Sequence, residues 1–325
     1  MRYQRIVLTT IALIALATGS VVAAEPSEAD LVTSCTGTAS NVTVPGDLFV
    51  PAGRSCELTS VVVNGNTTVR AGANLLLTGS TLNGSLTVQA DGFASASGAT
   101  VTGATRLNTA FGAFSENSSF GGNVVAADSG FFYSLGSSLQ AVTSSNGETY
   151  LESVRMSRNL TTAGDLLTDV YNSVVQGTVS VTGASMGSVL CVSEIDGNAS
   201  FSGSGAGAGG ILQIGASAPL TGCGFNVFAA SVALTDNLAP SFVSDNVIRG
   251  ALVCTGNNPA PVGSSTRIRG QATGQCAAPA PAAAARFGPA AASGTRKADI
   301  EAKVESRLST GEQAATMAGP ARIGS

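Results

Sequence analysis

The chain contains no histidine and no tryptophan, and charged residues make up only 11% of its 325 positions. Without histidine there is no Ser-His-Asp triad, no Cys-His dyad and no imidazole metal site. The charged fraction is less than half of that in an ordinary soluble domain, which leaves few acids and bases for chemistry. The composition therefore argues against an enzyme and against a metal site built on imidazole, and we expect no cofactor.

Long apolar runs are also scarce, and the one at the start has the form of a secretory signal. Arg2 and Arg5 precede an apolar run from Ile6 to Ala17, and small residues lead up to Ala24. The run is too short to cross a bilayer as a helix. We expect a signal peptide over residues 1–24 and a secreted mature chain without a membrane span.

Lysine is absent from residues 25–276, which hold eight arginines against sixteen acidic residues. Residues 277–325 reverse the balance with six basic and four acidic residues. An acidic body gains no counterion release from nucleic acid. Nucleic acid is therefore excluded as a partner, and self-association or a cell-envelope glycan remain open.

What the chain does have is an internal repeat in which an apolar residue is followed two positions later by glycine. The apolar positions are Val44, Val63, Leu82, Val101, Phe120, Leu139, Met156, Val175, Ile195, Leu220, Ile248 and Ile268. The first five intervals are all 19 residues. Apolar residues alternate within each unit, which indicates short strands, and the glycines are assigned to corners that need positive φ.

Short strands at a fixed period of about 19 residues predict an all-β fold, a single-stranded parallel β-helix of about 12 turns, or rungs, and of right-handed sense. We assign it to residues 25–276. The antiparallel sandwich is the alternative, but it does not predict identical intervals. Two longer intervals place loops over residues 202–217 and 224–244.

The six cysteines fit an oxidising compartment, and the repeat limits how they can pair. Cys35 precedes the first rung and Cys56 lies within it, so this pair would tie down the N-terminal end. Cys254 and Cys276 lie on the last two rungs and would tie down the C-terminal end. The remaining pair is Cys191 with Cys223, on nearby rungs.

After Cys276 the composition becomes rich in alanine and proline, and residues 277–325 are expected to form a mostly disordered tail. Ile300, Val304 and Leu308 fall four residues apart, which predicts a short helix over residues 295–308. An isolated helix of this length is marginal in water. The tail is therefore either a flexible end or a segment that folds on a partner.

The best candidates for chemistry are four acidic residues on neighbouring rungs, Glu148, Glu152, Asp165 and Asp169. In the repeat, Glu148 would stack on Asp165, and Glu152 on Asp169, near the carboxylate spacing of a retaining glycosidase. Three interpretations are open: a polar stripe neutralised by Arg155 and Arg158, a calcium site, or a catalytic groove.

Aromatic residues gather in the first half of the chain. Phe93, Phe111 and Phe131 recur at nearly the same position of three successive rungs. They form either an exposed platform for sugars or partners, or a ladder inside the rod. Because neighbours in a strand point to opposite faces, at least one residue of the run 131–133 is expected to be exposed.

The units from Val63 to Gly92 (VNGNTTVRAGANLLLTGSTLNGSLTVQADG) resemble bactofilin-type, polymer-forming β-helical repeats, and the resemblance covers residues 36–276. It is shared with secreted bacterial β-solenoid proteins of unassigned function. The resemblance implies a β-helical core that self-associates end to end. Together these features indicate a non-catalytic secreted structural or interaction protein of the bacterial envelope or extracellular space. A carbohydrate-binding or polysaccharide-degrading β-helix is the alternative.

Overall fold

A computed structural model describes residues 32–207, 209–216, 223–278 and 293–323. Within these ranges, thirty-six short strands, numbered β1 to β36, form three parallel sheets that stack as a β-solenoid, and one helix follows them. The parallel β-solenoid of about 12 rungs predicted from the repeat is confirmed. The signal segment predicted over residues 1–24 lies outside the described residues.

Each rung contributes one strand to each sheet in turn, so the sheets run side by side along the rod. Sheet A contains β1 (Val32–Ser34), β4 (Asp47–Val50), β7 (Thr67–Val69), β10 (Leu86–Val88), β13 (Thr105–Asn108), β16 (Val124–Ala127), β19 (Val142–Ser145), β22 (Leu160–Ala163), β25 (Val179–Thr182), β28 (Ala199–Ser202), β31 (Val232–Thr235), β34 (Leu252–Thr255) and β36 (Ala272–Gly274). Sheet B contains β2 (Gly37–Ser40), β5 (Ser55–Thr59), β8 (Asn74–Thr78), β11 (Phe93–Ser97), β14 (Gly112–Glu116), β17 (Phe132–Leu135), β20 (Glu148–Glu152), β23 (Leu167–Tyr171), β26 (Gly187–Cys191), β29 (Ile211–Gly215) and β32 (Ser241–Ser244). Sheet C contains β3 (Thr43–Val44), β6 (Val62–Val63), β9 (Thr81–Leu82), β12 (Thr100–Val101), β15 (Ser119–Phe120), β18 (Ser138–Leu139), β21 (Arg155–Met156), β24 (Val174–Val175), β27 (Glu194–Ile195), β30 (Val227–Phe228), β33 (Val247–Ile248) and β35 (Arg267–Ile268).

The alternation of apolar residues gives the rod a continuous interior. In sheet A, Leu86 pairs with Thr67 on one side and with Thr105 on the other, each 19 residues away. Leu82 in sheet C and Leu75 in sheet B are fully buried in the same core. One rung cannot bury its inner face alone, so the stability of the rod comes from the stacking of neighbours.

The late rungs differ from the expectation. Ile195 pairs with Phe228, and Phe228 pairs with Ile248. The rung position is therefore Phe228, while Leu220, the position taken from the repeat, lies outside the described residues. Strands β29 to β32 occupy much of the two ranges expected to be loops. The signature was misleading there because Phe228 is followed two positions later by Ala230 rather than glycine.

The glycines of the repeat have a different role from the one expected. Gly84 and Gly103 do not have positive φ, but a Cβ atom on either one would overlap the backbone of the glycine one rung earlier. They are required by close stacking of the backbone. The left-handed corner positions are instead held by other residues, including Asp91, Asn117 and Gly98.

The corner between sheets A and B carries a row of buried polar side chains, here called the A–B corner ladder. Ser129 Oγ accepts a hydrogen bond from the backbone N–H of Ala110 at 3.0 Å. On later rungs, Asn237 accepts from the N–H of Ser204 at 3.0 Å, and Asn257 from the N–H of Asn237 at 3.1 Å. The ladder pairs backbone groups that the turn leaves without a strand partner.

The three cysteine pairs are those predicted. Cys35 with Cys56, Cys191 with Cys223, and Cys254 with Cys276 have Cα–Cα distances of 5.6, 5.1 and 5.3 Å. These distances lie within the range of a disulfide. The first and last pairs lie at the two ends of the solenoid, where the expectation placed them.

The tail differs from the expectation. Helix α1 runs from Ser293 to Ala318, so it is 26 residues long and extends beyond the predicted 295–308. The prediction of a mostly disordered tail is corrected for residues 293–323, because α1 packs on sheet B and gains the tertiary contacts that an isolated helix lacks. Residues 279–292 lie outside the described residues.

Candidate functional site

Helix α1 lies along the outer face of sheet B and runs back toward the first rung. Near its start Arg296 contacts Asp169 of β23, and after its end Pro320 forms a parallel bridge with Thr38 of β2. A helix of 26 residues is about 39 Å long, which matches about eight rungs at 4.8 Å each. We call the outer surface of sheet B under α1 the helix-covered face.

The apolar side of α1 follows a helical period. Ile300 and Val304 are buried, and Leu308 is partly buried against the same cluster. Gly311 and Ala315 continue the row toward the N-terminal end of the rod and are also buried. The spacing of Ile300, Val304 and Leu308 that predicted the helix therefore also predicted the side by which it docks.

Beneath α1 lies a row of aromatic rings on the outside of sheet B, here called the aromatic ladder. It contains Phe93, Phe111, Phe114, Phe131, Tyr133, Tyr150 and Tyr171. Successive contacts have ring-centroid distances of 5.6 Å for Phe111 and Phe131, 5.1 Å for Tyr133 and Tyr150, and 5.2 Å for Tyr150 and Tyr171.

The aromatic ladder fits neither of the two expectations. It faces outward, yet it is not an exposed platform, because α1 covers it. The expectation that one residue of the run 131–133 is exposed is wrong, since Phe131, Phe132 and Tyr133 are each 1% exposed. Phe132 points into the rod, whereas Phe131 and Tyr133 pack in the cluster that contains Ile300 and Val304.

Two of the candidate carboxylates on the helix-covered face are paired with lysines of α1. Lys303 Nζ lies 2.6 Å from Glu148 Oε1, and Lys297 Nζ lies 2.7 Å from Glu152 Oε2. Glu148 is a buried residue of β20, whereas Glu152 at the end of this strand is partly exposed. Lysines of α1 thus supply the positive charge that neutralises these two carboxylates of the solenoid.

A third carboxylate forms a buried ion pair with α1. Arg296 Nη2 lies 2.9 Å from Asp169 Oδ1, and both side chains are almost fully buried. Burial raises the pKa of Asp169 to about 6, against the opposing effect of the Arg296 guanidinium. Asp169 Oδ2, Arg296 Nε and Tyr171 Oη have no hydrogen-bond partner in the described part of the chain. These unpaired atoms weaken this contact relative to a fully satisfied pair.

Asp165, the fourth candidate, lies apart from the other three. It belongs to the A–B corner ladder and accepts hydrogen bonds from the N–H of Gly147 and from the hydroxyls of Ser144 and Thr149. Burial raises its pKa, while these hydrogen bonds lower it. Asp165 is therefore an interior residue that closes a turn.

The stacking predicted for the four acids is wrong. Glu148 pairs with Leu167 and Glu152 with Tyr171, so neither lies beside the acid expected. Phe132 pairs with Thr149, which shows that the rung is shortened by two residues before Thr149. The next rung has the full length, so Glu148 and Glu152 pair with residues two positions beyond Asp165 and Asp169. Arg155, expected to neutralise the stripe, lies on β21 in sheet C, and the neutralising residues are those of α1.

Further polar contacts hold α1 on sheet B. Arg307 Nε donates to Asn74 Oδ1 at 2.8 Å, and its guanidinium carbon lies 4.8 Å from the centre of the Phe111 ring. Tyr133 Oη donates to Glu301 Oε1 at 3.2 Å. Burial is the main reason why the pKa of Tyr133 is raised above its ordinary value, with the Glu301 charge adding to it.

Apolar burial contributes more to this docking than the ion pairs do. Burying Ile300 and Val304 is worth about 1.5–3 kcal/mol for each side chain. The lysine pairs at Glu148 and Glu152 are partly exposed, and such pairs are worth at most about 1 kcal/mol each. The apolar row therefore supplies most of the affinity, and the charges fix the position of α1 along the rod.

Sequence reasoning missed the basic partners Arg296, Lys297 and Lys303. Two signals pointed to them. One was the excess of basic residues after residue 276 against an acidic body, and the other was the apolar spacing within 295–308. Neither gives the register of the helix on the sheet, because that requires contacts between residues more than 100 positions apart.

In the described ranges, no cluster of three or more cysteine, aspartate or glutamate residues is placed to hold a metal ion. Among the same residues, the helix is not apolar enough to cross a membrane.

The fold and the helix-covered face define a parallel β-solenoid whose C-terminal helix docks on its own rod. Comparisons with protein families, with curated proteins and with solved structures find no match.

Proposed function

We propose that this chain is a non-catalytic structural or interaction protein, secreted to the cell envelope or the extracellular space. The observation that carries the proposal is the state of the candidate acids. Glu148, Glu152 and Asp169 are ion-paired with α1. Asp165 is hydrogen-bonded inside a corner.

A polysaccharide-degrading β-helix needs free carboxylates that converge on an open groove. On the helix-covered face that space is occupied by α1. A stack of rungs with a single long core is suited to a stiff spacer, because each rung is held by both neighbours. The resemblance of the rungs to polymer-forming bactofilin-type repeats also supports a structural role.

The compartment is part of the proposal. Three disulfide-distance pairs fit an oxidising environment, where such bonds persist. Fractionation of bacteria that produce the chain should find it outside the cytoplasm with all six cysteines oxidised. Recovery of a reduced cytoplasmic protein would overturn this part of the proposal.

The absence of catalysis is tested with envelope and extracellular polysaccharides. The purified protein is incubated with peptidoglycan, acidic exopolysaccharides and neutral glucans, and the release of reducing ends and of unsaturated uronides is measured. We expect no turnover above that of a denatured sample. Turnover that is lost in Glu148→Gln, with circular dichroism unchanged, would establish the carbohydrate-active alternative instead.

A further inference from the structure

The residues after α1 cover one end of the rod. Strand β2 is the first strand of sheet B, so its outer edge has no preceding rung to pair with. The N–H of Thr38 donates to the carbonyl of Gly319 at 2.9 Å, and the N–H of Ala321 donates to the carbonyl of Thr38 at 2.7 Å. Pro320 thus takes the position that a strand of another rung would take, and in the parallel sense.

The same segment covers part of the end of the core. Ile323 is buried in the main core cluster, and Ala39, Val42 and Ala321 are partly buried against that cluster. A cavity of about 490 Å³ between this segment and the first rung is lined in part by these four residues. A Cβ atom on Gly37 would overlap the carbonyl oxygen of Gly319, so glycine is needed for this approach. We call residues 319–323, held in place by α1, the end cap.

At the opposite end of the rod, no described strand follows β36 in sheet A or β35 in sheet C. A cavity of about 260 Å³ opens there between the last rungs and is lined by Val243, Leu252, Val262, Ile268 and Cys276. Ser264, Ser265 and Thr266 also line this cavity. Among the described residues, a bridge from Pro320 thus covers the outer edge of β2 at the N-terminal end, whereas the outer edges of β35 and β36 at the C-terminal end have no strand partner.

Open strand edges pair with other strands when nothing covers them. All rungs of this chain pair in parallel, so the last rung of one copy meets the first rung of another in the sense that Pro320 already adopts. Joining unlike ends in this way is a head-to-tail contact, which does not close on itself.

We propose that the end cap controls self-association: while α1 is docked it blocks the N-terminal edge, and when α1 leaves, this edge pairs with the C-terminal end of a second copy. This inference rests on the proposed structural function and names the partner as a second copy of the chain. The aromatic ladder and the acids of the helix-covered face then bind α1 and so keep the end cap on the edge of β2.

The test uses full-length variants that release α1 without altering a rung. In Ile300→Asp/Val304→Asp two carboxylates replace the apolar row next to Glu148 and Glu152, so α1 cannot dock. The matched control is Ala298→Asp/Ala302→Asp, which adds the same charge to exposed positions of the same helix. Sedimentation velocity over a concentration series gives the mass, and circular dichroism at 222 nm gives the state of α1.

We expect the wild type and the control to be monomeric at all concentrations. The released variant should reach at least about twice the monomer mass and form elongated particles, as a non-closing contact requires. Adding Thr38→Pro should return it to a monomer, because Thr38 N–H points away from β5 toward the cap and proline removes that donor from the edge.

Two results would overturn the proposal. One is a released variant that has lost helix signal but stays monomeric. The other is association that persists with Thr38→Pro, which would place the contact on the uncovered aromatic ladder. Should Ile300→Asp/Val304→Asp lack the β-sheet spectrum, Ile323→Asp gives the same test, since a carboxylate is disfavoured in the core cluster that Ile323 enters and no residue of a rung is altered. Monomeric rods without polysaccharide turnover would remove the cap mechanism alone, whereas turnover that depends on Glu148 would remove the proposed function.

Discussion

Lys303 Nζ lies 2.6 Å from Glu148 Oε1, although the two residues are 155 positions apart in the chain. The contact joins the last helix to the seventh strand of sheet B. It occurs at the position where the sequence suggests an acidic groove. A feature that resembles a substrate site is therefore an internal docking surface.

Exchanging the two charges should separate the ion pair from simple loss of charge. Lys303→Glu places like charges together and should destabilise the docked helix by about 1 kcal/mol. Glu148→Lys combined with Lys303→Glu should recover most of that loss. Native-state hydrogen exchange of the α1 amides measures each variant, and the double-mutant cycle gives the coupling. Equal exchange rates in the single and double variants would show that the pair does not hold α1.

Asp165 should prove to be a stability residue. Asp165→Ala leaves the Gly147 N–H and two hydroxyls without their acceptor, so we expect a loss of about 1–3 kcal/mol in the free energy of unfolding. Asp165→Asn should be much milder, because Asn237 and Asn257 fill the equivalent position on later rungs. Urea unfolding followed by circular dichroism compares the two. Equal losses for both substitutions would contradict the ladder role.

Alkaline pH should release α1. Burial raises the pKa of Tyr133, Tyr150 and Tyr171 above the ordinary value near 10. Because the docked form holds the phenol protons more tightly, its stability is intact below about pH 10 and is lost as the pH rises further. Tyrosinate absorbance at 295 nm and helix signal at 222 nm should change together.

The control for this titration is Tyr150→Phe, which removes one of the buried phenols. Its helix signal should persist to higher pH than that of the wild type. Tyrosinate formation at ordinary pKa values with no change in helix signal would mean that α1 does not shield these rings.

The buried pair of Asp169 and Arg296 should be sensitive to the loss of one partner. Arg296→Met leaves a buried carboxylate unpaired, and we expect a loss of about 3–5 kcal/mol in the docking of α1. Asp169→Leu with Arg296→Met should dock as well as the wild type or better, since the unpaired polar atoms are removed as well. Hydrogen exchange of α1 measures both.

The same pair gives a pH signature. The pKa of Asp169 is raised to about 6, so its proton favours the docked state, and this contribution is lost as the pH rises through about 6. In Arg296→Met the carboxyl should titrate higher still, because Arg296 lowers its pKa. Carbon-13 NMR of the Asp169 carboxyl follows the titration. An unchanged midpoint would place Arg296 away from Asp169 in solution.

The repeat predicted the rod because its information is local. Each rung repeats an apolar residue, a glycine and an alternation within 19 residues, and stacking turns that period into three sheets. The cysteine pairs followed from the same register, since Cys35 and Cys56 fall one rung apart. The prediction failed where the period changes, as at Phe228, whose neighbour two positions on is not glycine.

The helix-covered face could not be predicted in the same way. The spacing of Ile300 and Val304 predicts an apolar side of a helix, and the acidic residues of the solenoid predict that a basic segment could pair with them. The local sequence of neither segment predicts that Lys303 pairs with Glu148. The burial of Tyr133 could not be predicted from its strand either. Its side chain points outward from sheet B, and it is buried because α1 packs over it.

The return of the tail to the first rung also sets an order of events in biosynthesis. Ribosomes make Gly37 and Thr38 long before Gly319 to Ile323, the residues that cover them. The outer edge of the first rungs therefore stays unpaired while the intervening residues are made. Unpaired strand edges are prone to aggregation in such a state. Only chains made at least as far as Ile323 can cover both the core and the edge at that end.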